Sequence, residues 1–137
     1  MENGPNRAAF WVNFIKERGE YPAPAVLQGQ LAHAIFEEFC LCGCNSFGVR
    51  VQTSEGLQPL VPPKDEVLPG RHGAIFEADF RLVDGKTIEI IIFADDEGNL
   101  DYVEVDCNAN SEPVPQEIIA LDRPFHIRAS ASLIKDA

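Results

Sequence analysis

Ten carboxylates lie between Glu77 and Asp106, against only Arg81 and Lys86 as bases. This run carries eight of the chain's eleven net negative charges. In an extended chain successive side chains point to opposite faces. Glu77 and Asp79 therefore share a face, opposite Phe76, Ala78 and Phe80, and Glu89 stands opposite Ile88 and Ile90. With Glu104 on a following strand, these acids make one negative sheet face. Such a surface accelerates and orients the approach of a cationic protein; the plainer reading is a solvated outer face that discourages edge-to-edge association. The acids of the turn Asp95-Asp96-Glu97-Gly98-Asn99 extend the patch. That turn is not an EF-hand loop, because its glycine comes in the fourth place and strands flank it, where calcium coordination needs glycine sixth between helices.

Cysteine supplies the other candidate chemistry. Cys40, Cys42 and Cys44 occupy alternate positions, and Cys107 stands apart. Structural zinc sites use pairs such as CxxC, which the chain lacks. Three ligands at alternate positions suit a tetrahedron only if the chain is extended. The expected helix places Cys40 and Cys42 on its last turns and Cys44 beyond a Gly43 stop, which scatters the sulfurs. Packing is then the expectation, since free cysteine is among the most buried residue types, and neither metal nor cofactor is expected. Cys107 fails as a nucleophile: its acidic surroundings disfavour thiolate, and no motif pairs it with His33, His72 or His126 as a base. No catalytic residue is assigned, and the chain reads as non-enzymatic rather than as an enzyme. His72, beside Arg71 in PGRHG, is a loop histidine without a partner.

The elements that position these residues follow from hydrophobic periodicity. Phe10, Trp11, Phe14 and Ile15 recur at helical spacing from Asn6 to Arg18, with Gly19 as the stop. After Pro22 and Pro24, the stripe Leu27, Leu31, Ala34, Ile35 and Phe39 predicts a second helix from Ala25 to Leu41. The period then becomes two: Phe47, Val49 and Val51 predict a short strand. Ser54 to Gly73, SEGLQPLVPPKDEVLPGRHG, is rich in proline and glycine and reads as an irregular loop. Strands are predicted at Phe76–Val83, Thr87–Ala94 and Leu100–Asp106. Asp84-Gly85 is read as a two-residue hairpin turn between the first two. A short helix from Pro115 to Leu121, an edge strand from Phe125 to Ala129 and a frayed end complete the chain.

The 137 residues suffice for a single domain, residues 1–137. A net charge of −11 repels phosphate and anionic lipid, which argues against nucleic-acid and membrane partners. The opening MENGPNR lacks the apolar core of a secretory signal. A cytoplasmic location with reduced thiols is therefore expected.

The stretch LVDGKTIEIIIFADDEGNLDYVEVD, Leu82 to Asp106, with its DG hairpin, strand, acidic turn and further strand, resembles a feature of small bacterial α+β proteins, among them immunity proteins of polymorphic toxin systems. The resemblance implies a cytosolic bacterial protein that neutralises a toxin by binding it, and it transfers no catalytic residue.

The expected fold is α+β: two N-terminal helices packed on one face of an antiparallel sheet of about four strands, with a meander at its centre. The expected function is that of a non-enzymatic acidic binding protein, of immunity type, for a basic protein partner. Its contact residues would be Glu77, Asp79, Glu89, Asp95, Asp96, Glu97 and Glu104. The alternative is a small-molecule-binding domain or small enzyme with a pocket between helices and a curved sheet, rimmed by Arg71 and His72 and lined by Trp11 or Tyr21. The sequence carries no signal for oligomeric state.

Overall fold

The computed structural model describes residues 3–63, Leu68 and residues 70–136, with 134–136 described by backbone alone. Helix α1 spans Pro5–Arg18. Pro5 suits a first turn, where its missing N–H is no loss, and Lys16 and Arg18 in the last turn suit the helix dipole. Arg7, Ala8, Trp11, Phe14 and Ile15 form its buried stripe. Phe10, expected in that stripe, is on the rim, where the Arg7 guanidinium lies 4.9 Å from its ring centre.

The second helix is shorter than predicted. Helix α2 covers only Pro24–Leu31, and Ala34–Glu37 is strand β1, paired antiparallel with β2, Phe47–Val51. Ile35 and Phe36 are residues that favour strands, and pairing with β2 overrides the helical stripe that Ala34 and Ile35 continue. Gly43 is consequently not a helix stop, and Cys40 is on no helix.

Strands β3, Ala74–Arg81, β4, Thr87–Ala94, and β5, Leu100–Cys107, form the predicted meander. Strand β6, His126–Ala129, adds to the outer side of β3. Among the described residues the sheet has six antiparallel strands, in the order β1-β2-β5-β4-β3-β6. The meander is thus central, but the sheet is larger than the four or so strands expected. Both meander turns contain one residue more than a two-residue hairpin. Gly85 N donates to Leu82 O and Leu82 N to Lys86 O; Gly98 N donates to Asp95 O and Asp95 N to Asn99 O. In each, the glycine has positive φ, 88° at Gly85 and 85° at Gly98. This is the three-residue loop closed by a glycine bulge, and Asp84 does not take the left-handed conformation that a two-residue turn would need.

The helix predicted at Pro115 to Leu121 is absent. The segment bends at residues 116–117, and its end lies beside the end of β3: Val83 N donates to Ile119 O, and Leu121 N to Arg81 O. The chain end, expected to fray, forms a short helix α3, Ala131–Asp136, that buries Leu133.

One hydrophobic cluster unites Phe76, Ala78 and Phe80 of β3 with Ile88, Ile90 and Ile92 of β4 and Val103, Val105 and Cys107 of β5. Phe14 of α1 meets Phe80 edge-on at 4.9 Å, and Tyr21 meets Phe76 at 5.1 Å. The cluster does not rest on a pair of helices. Helix α2 buries only Leu27 and Gln30, and Leu60, Val61 and Leu133 from other segments join the same core.

Candidate functional site

Strand register brings the central acids together. Asp79 pairs with Glu89, and Glu89 pairs with Asp106; on the outer side Asp79 pairs with His126. Directly opposed side chains on one sheet face stand roughly 5 Å apart at Cβ. Three carboxylates thus stand side by side across β3, β4 and β5, with His126 at the end of the row. A parallel row contains Arg128, Glu77, Ile91 and Glu104, in register across the same four strands.

The cations nearby neutralise little of this charge. Arg71 Nη2 donates to both Glu104 oxygens at 2.8 Å, and His126 Nδ1 lies 3.1 Å from Asp79 Oδ2. Among the described residues neither Glu89 nor Asp106 has an ion pair. Asp79 Oδ1 is buried without a hydrogen-bond donor among them. Burial is the main cause that raises the acids of this row, because a partly dried carboxylate resists ionisation. Burial, then the neighbouring Asp79, raises Glu89. Burial raises Asp79, with the His126 contact opposing it. Asp106 is only 7% exposed and is pushed up to about 7, by burial first and then by its hydrogen bond with Glu104.

The face is less open than its alternation implies. Leu68, Ala74 and Ile91 form a small apolar cluster on which Phe93 packs. Arg71 lies 5.6 Å from the Phe93 ring centre, so the end of the long loop rests on the same side as Glu104. His72 borders a cleft of about 320 Å³ with Phe93, Tyr102, Asp95 and Asp101.

The proposed contact residues therefore fall into two groups. Glu77, Asp79, Glu89 and Glu104 join the rows. Asp95, Asp96 and Glu97 sit in the β4–β5 turn, beyond the far end of β4 from Glu89. Asp95 Oδ1 is occupied there, accepting from the N–H groups of Glu97 and Asn99 at 2.9 Å. Asp106 and His126 complete the first row and were missing from the sequence-derived set. The period-two spacing of Glu104 and Asp106 is a signal for the first; the second depends on where β6 attaches.

Two groups here have the geometry to surround a cation: Glu77, Asp79 and His126, and Glu89, Glu104 and Asp106. In each, one ligand atom per residue lies within 4.8 Å of the others. Either a cationic side chain or a hard divalent ion would relieve the repulsion.

The cysteines are neither scattered nor all free. Cys40 and Cys42 are joined as a disulfide, and Cys44 Sγ is 3.2 Å from Cys42 Sγ. Cys107 is buried in the core, and burial pushes its thiol up, away from the thiolate a nucleophile needs. Trp11 and Tyr21, the candidate pocket linings, are core residues at 0% and 5% exposure. Trp11 Nε1 donates to Asn45 Oδ1 at 2.8 Å. No helix among the described residues is long and apolar enough to cross a membrane.

Compared with protein-family models, curated proteins and solved structures, the chain matches none.

Proposed function

We infer that this chain is a non-enzymatic binding protein whose acidic sheet face docks a cationic surface of a partner protein, in the manner of an immunity protein that neutralises a bacterial toxin. The observation that carries the reading is the row Asp79, Glu89 and Asp106, three neighbouring carboxylates with no lysine or arginine bonded to any of them among the described residues. A row of like charge destabilises the free protein. An arginine or lysine from a partner would exchange that repulsion for charge-assisted hydrogen bonds. In this reading the apolar side of the sheet is closed by the core that residues of α1 share with Leu60, Val61 and Leu133, leaving the acidic side to the partner, with Asp96 and Glu97 contributing long-range attraction from the turn.

The test compares two variants of equal net charge. One replaces Glu77, Asp79, Glu89 and Asp106 by their amides. The other replaces the exposed Glu17, Glu55, Glu117 and Asp122 in the same way. Binding of a fluorescent arginine-rich peptide is followed by anisotropy at low and high salt. The reading expects salt-sensitive binding to the wild type and the second variant, and its loss in the first. Equal losses in both variants would show attraction to net charge alone and remove the sheet face as the docking surface.

A further inference from the structure

The loop from Glu38 to Ser46 is built to hold its sulfurs together. Its ends are tied by Cys40 N donating to Ser46 O at 3.0 Å. Asn3 Nδ2 donates to the carbonyls of both Cys40 and Ser46, at 2.9 and 2.7 Å. Asn45 is fixed in turn: its Oδ1 accepts from Arg7 Nε and Trp11 Nε1 at 2.8 Å, and its backbone N–H donates to Val105 O. Between these anchors Gly43 has φ +108°, a conformation that side chains disfavour. The reversal it allows places Cys44 against Cys42. The Sγ atoms of Cys40, Cys42 and Cys44 all lie within 4.8 Å of one another.

Around a single ion, metal–thiolate bonds of about 2.3 Å put neighbouring sulfurs roughly 4 Å apart; the bonded Cys40 and Cys42 and the adjacent Cys44 stand closer than that, so an ion needs the disulfide reduced and the sulfurs slightly parted. Cys42 N lies 3.5 Å from Cys40 Sγ, a backbone donor beside the sulfur. Cys40 and Cys44 border a cleft of about 360 Å³ with Asn3, Asn45 and Pro113, and Cys42 is exposed, so the site is reachable from solvent. Asn3 Oδ1 is buried and has no donor among the described residues.

We propose that Cys40, Cys42 and Cys44, when reduced, form a three-sulfur site for a soft monovalent d¹⁰ cation, Cu(I). Thiolates select soft ions. The group contains three ligands and Cys107 is not among them; three sulfurs complete a trigonal Cu(I) site, whereas structural zinc takes a fourth ligand. The disulfide is the competing state of the same residues. Two equivalents of a small thiol reduce it, giving the Cys40 and Cys42 thiols and the reductant's disulfide. Binding of Cu(I) then displaces the three thiol protons. Reoxidation by a small-molecule disulfide, itself reduced to two thiols, joins Cys40 to Cys42, leaves only the Cys44 sulfur and expels the ion, so occupancy follows the redox state.

The experiment titrates the full-length chain, anaerobically reduced with a phosphine, against Cu(I) held by a chromogenic chelator. The expected result is one Cu(I) withdrawn per chain. Withdrawal should fall to the level of the triple-serine variant in C42S and C44S and remain unchanged in C107S. G43A retains every sulfur but loses the turn, and its affinity should drop by roughly tenfold, as for other groups that orient ligands. Circular dichroism of each variant confirms that it folds. Chain that leaves Cu(I) with the chelator would overturn the proposal, as would C42S and C44S binding like the wild type. A site that took Zn²⁺ from its own indicator while leaving Cu(I) to the chelator would overturn the choice of ion.

Discussion

Glu89 and Asp106 face each other across the β4–β5 ladder, and neither meets a cation among the described residues. Antiparallel strands normally separate like charges, because direct opposition is destabilising. Here the opposition is extended by Asp79 on β3. The cost falls on ionisation: a proton retained on Asp106 removes one charge from the cluster.

Stability should accordingly decline as pH rises. Asp106 titrates at about 7 in the folded chain against an ordinary 3.8. Between those values the folded state holds a proton that the unfolded state has lost, so stability falls through that window. Asp106→Asn removes the titration. The variant should match the wild type near pH 4 and exceed it at pH 8 by roughly 2 kcal/mol, a full linkage reduced because water reaches the neighbouring carboxylates. Urea denaturation across this range checks it; a wild-type stability that is flat from pH 4 to 7 would refute the assignment.

Gly85 and Gly98 separate two effects that are usually mixed. Their φ angles are nearly equal, 88° and 85°. A Cβ at Gly85 meets open space, whereas at Gly98 it would run into the Val61 carbonyl. That approach is functional for the fold, since Leu60 N donates to Gly98 O at 2.8 Å and ties the long loop to the β4–β5 turn. Gly85→Ala should cost about 1 kcal/mol from conformation alone. Gly98→Ala should cost about 3 kcal/mol or more, because backbone must also move. Equal costs in thermal denaturation would mean that the loop yields freely at Val61.

Much of the fold was legible where pattern and pairing agree. Eight-residue strands with alternating burial, such as β3, announce themselves, and Thr87–Ala94 has the bounds its sequence implies. Four residues do not suffice: Ala34–Glu37 extends a helical stripe just as well, and only pairing with Phe47–Val51 makes it a strand. Pro115 suggested a helix start, but Val83 and Arg81 supply bonds to Ile119 and Leu121 instead. The acids were visible as a cluster, while their ordering into rows depends on register, and their partial cover depends on Arg71 arriving from a distant loop. The approach of Cys44 to Cys42 required the backbone angle at Gly43, which no sequence period reports.

Tyr21 offers a substitution expected to be harmless or better. Its ring packs on Phe76, yet its hydroxyl is buried without a partner among the described residues, and burial raises its pKa. An unpaired buried hydroxyl carries a desolvation penalty and returns nothing. Tyr21→Phe keeps the ring contact and should leave stability unchanged or raise it by about 1 kcal/mol. Tyr21→Ala, which also removes the ring, should cost about 3 kcal/mol. A clear loss of denaturation midpoint in Tyr21→Phe would reveal a hydrogen bond to that hydroxyl.

Arg71 tests whether the rows act as one electrostatic unit. Its bond to Glu104 is half-exposed, with 44% of the arginine side chain open to solvent, so the pair itself is worth at most about 1 kcal/mol. Its charge also opposes the rise of both Glu89 and Asp106. Below the Asp106 titration that carboxyl is protonated and Arg71 has less charge to compensate; above it, the ionised row depends on Arg71 more. Arg71→Ala should therefore lose more stability at pH 8 than at pH 5, and should move the Asp106 titration upward in carboxyl-detected NMR. Arg71→Lys keeps the charge and should restore most of the difference between the two pH values. If both substitutions cost the same at pH 5 and pH 8, the role of Arg71 is its packing on Phe93, and the carboxylates titrate independently of the loop that covers them.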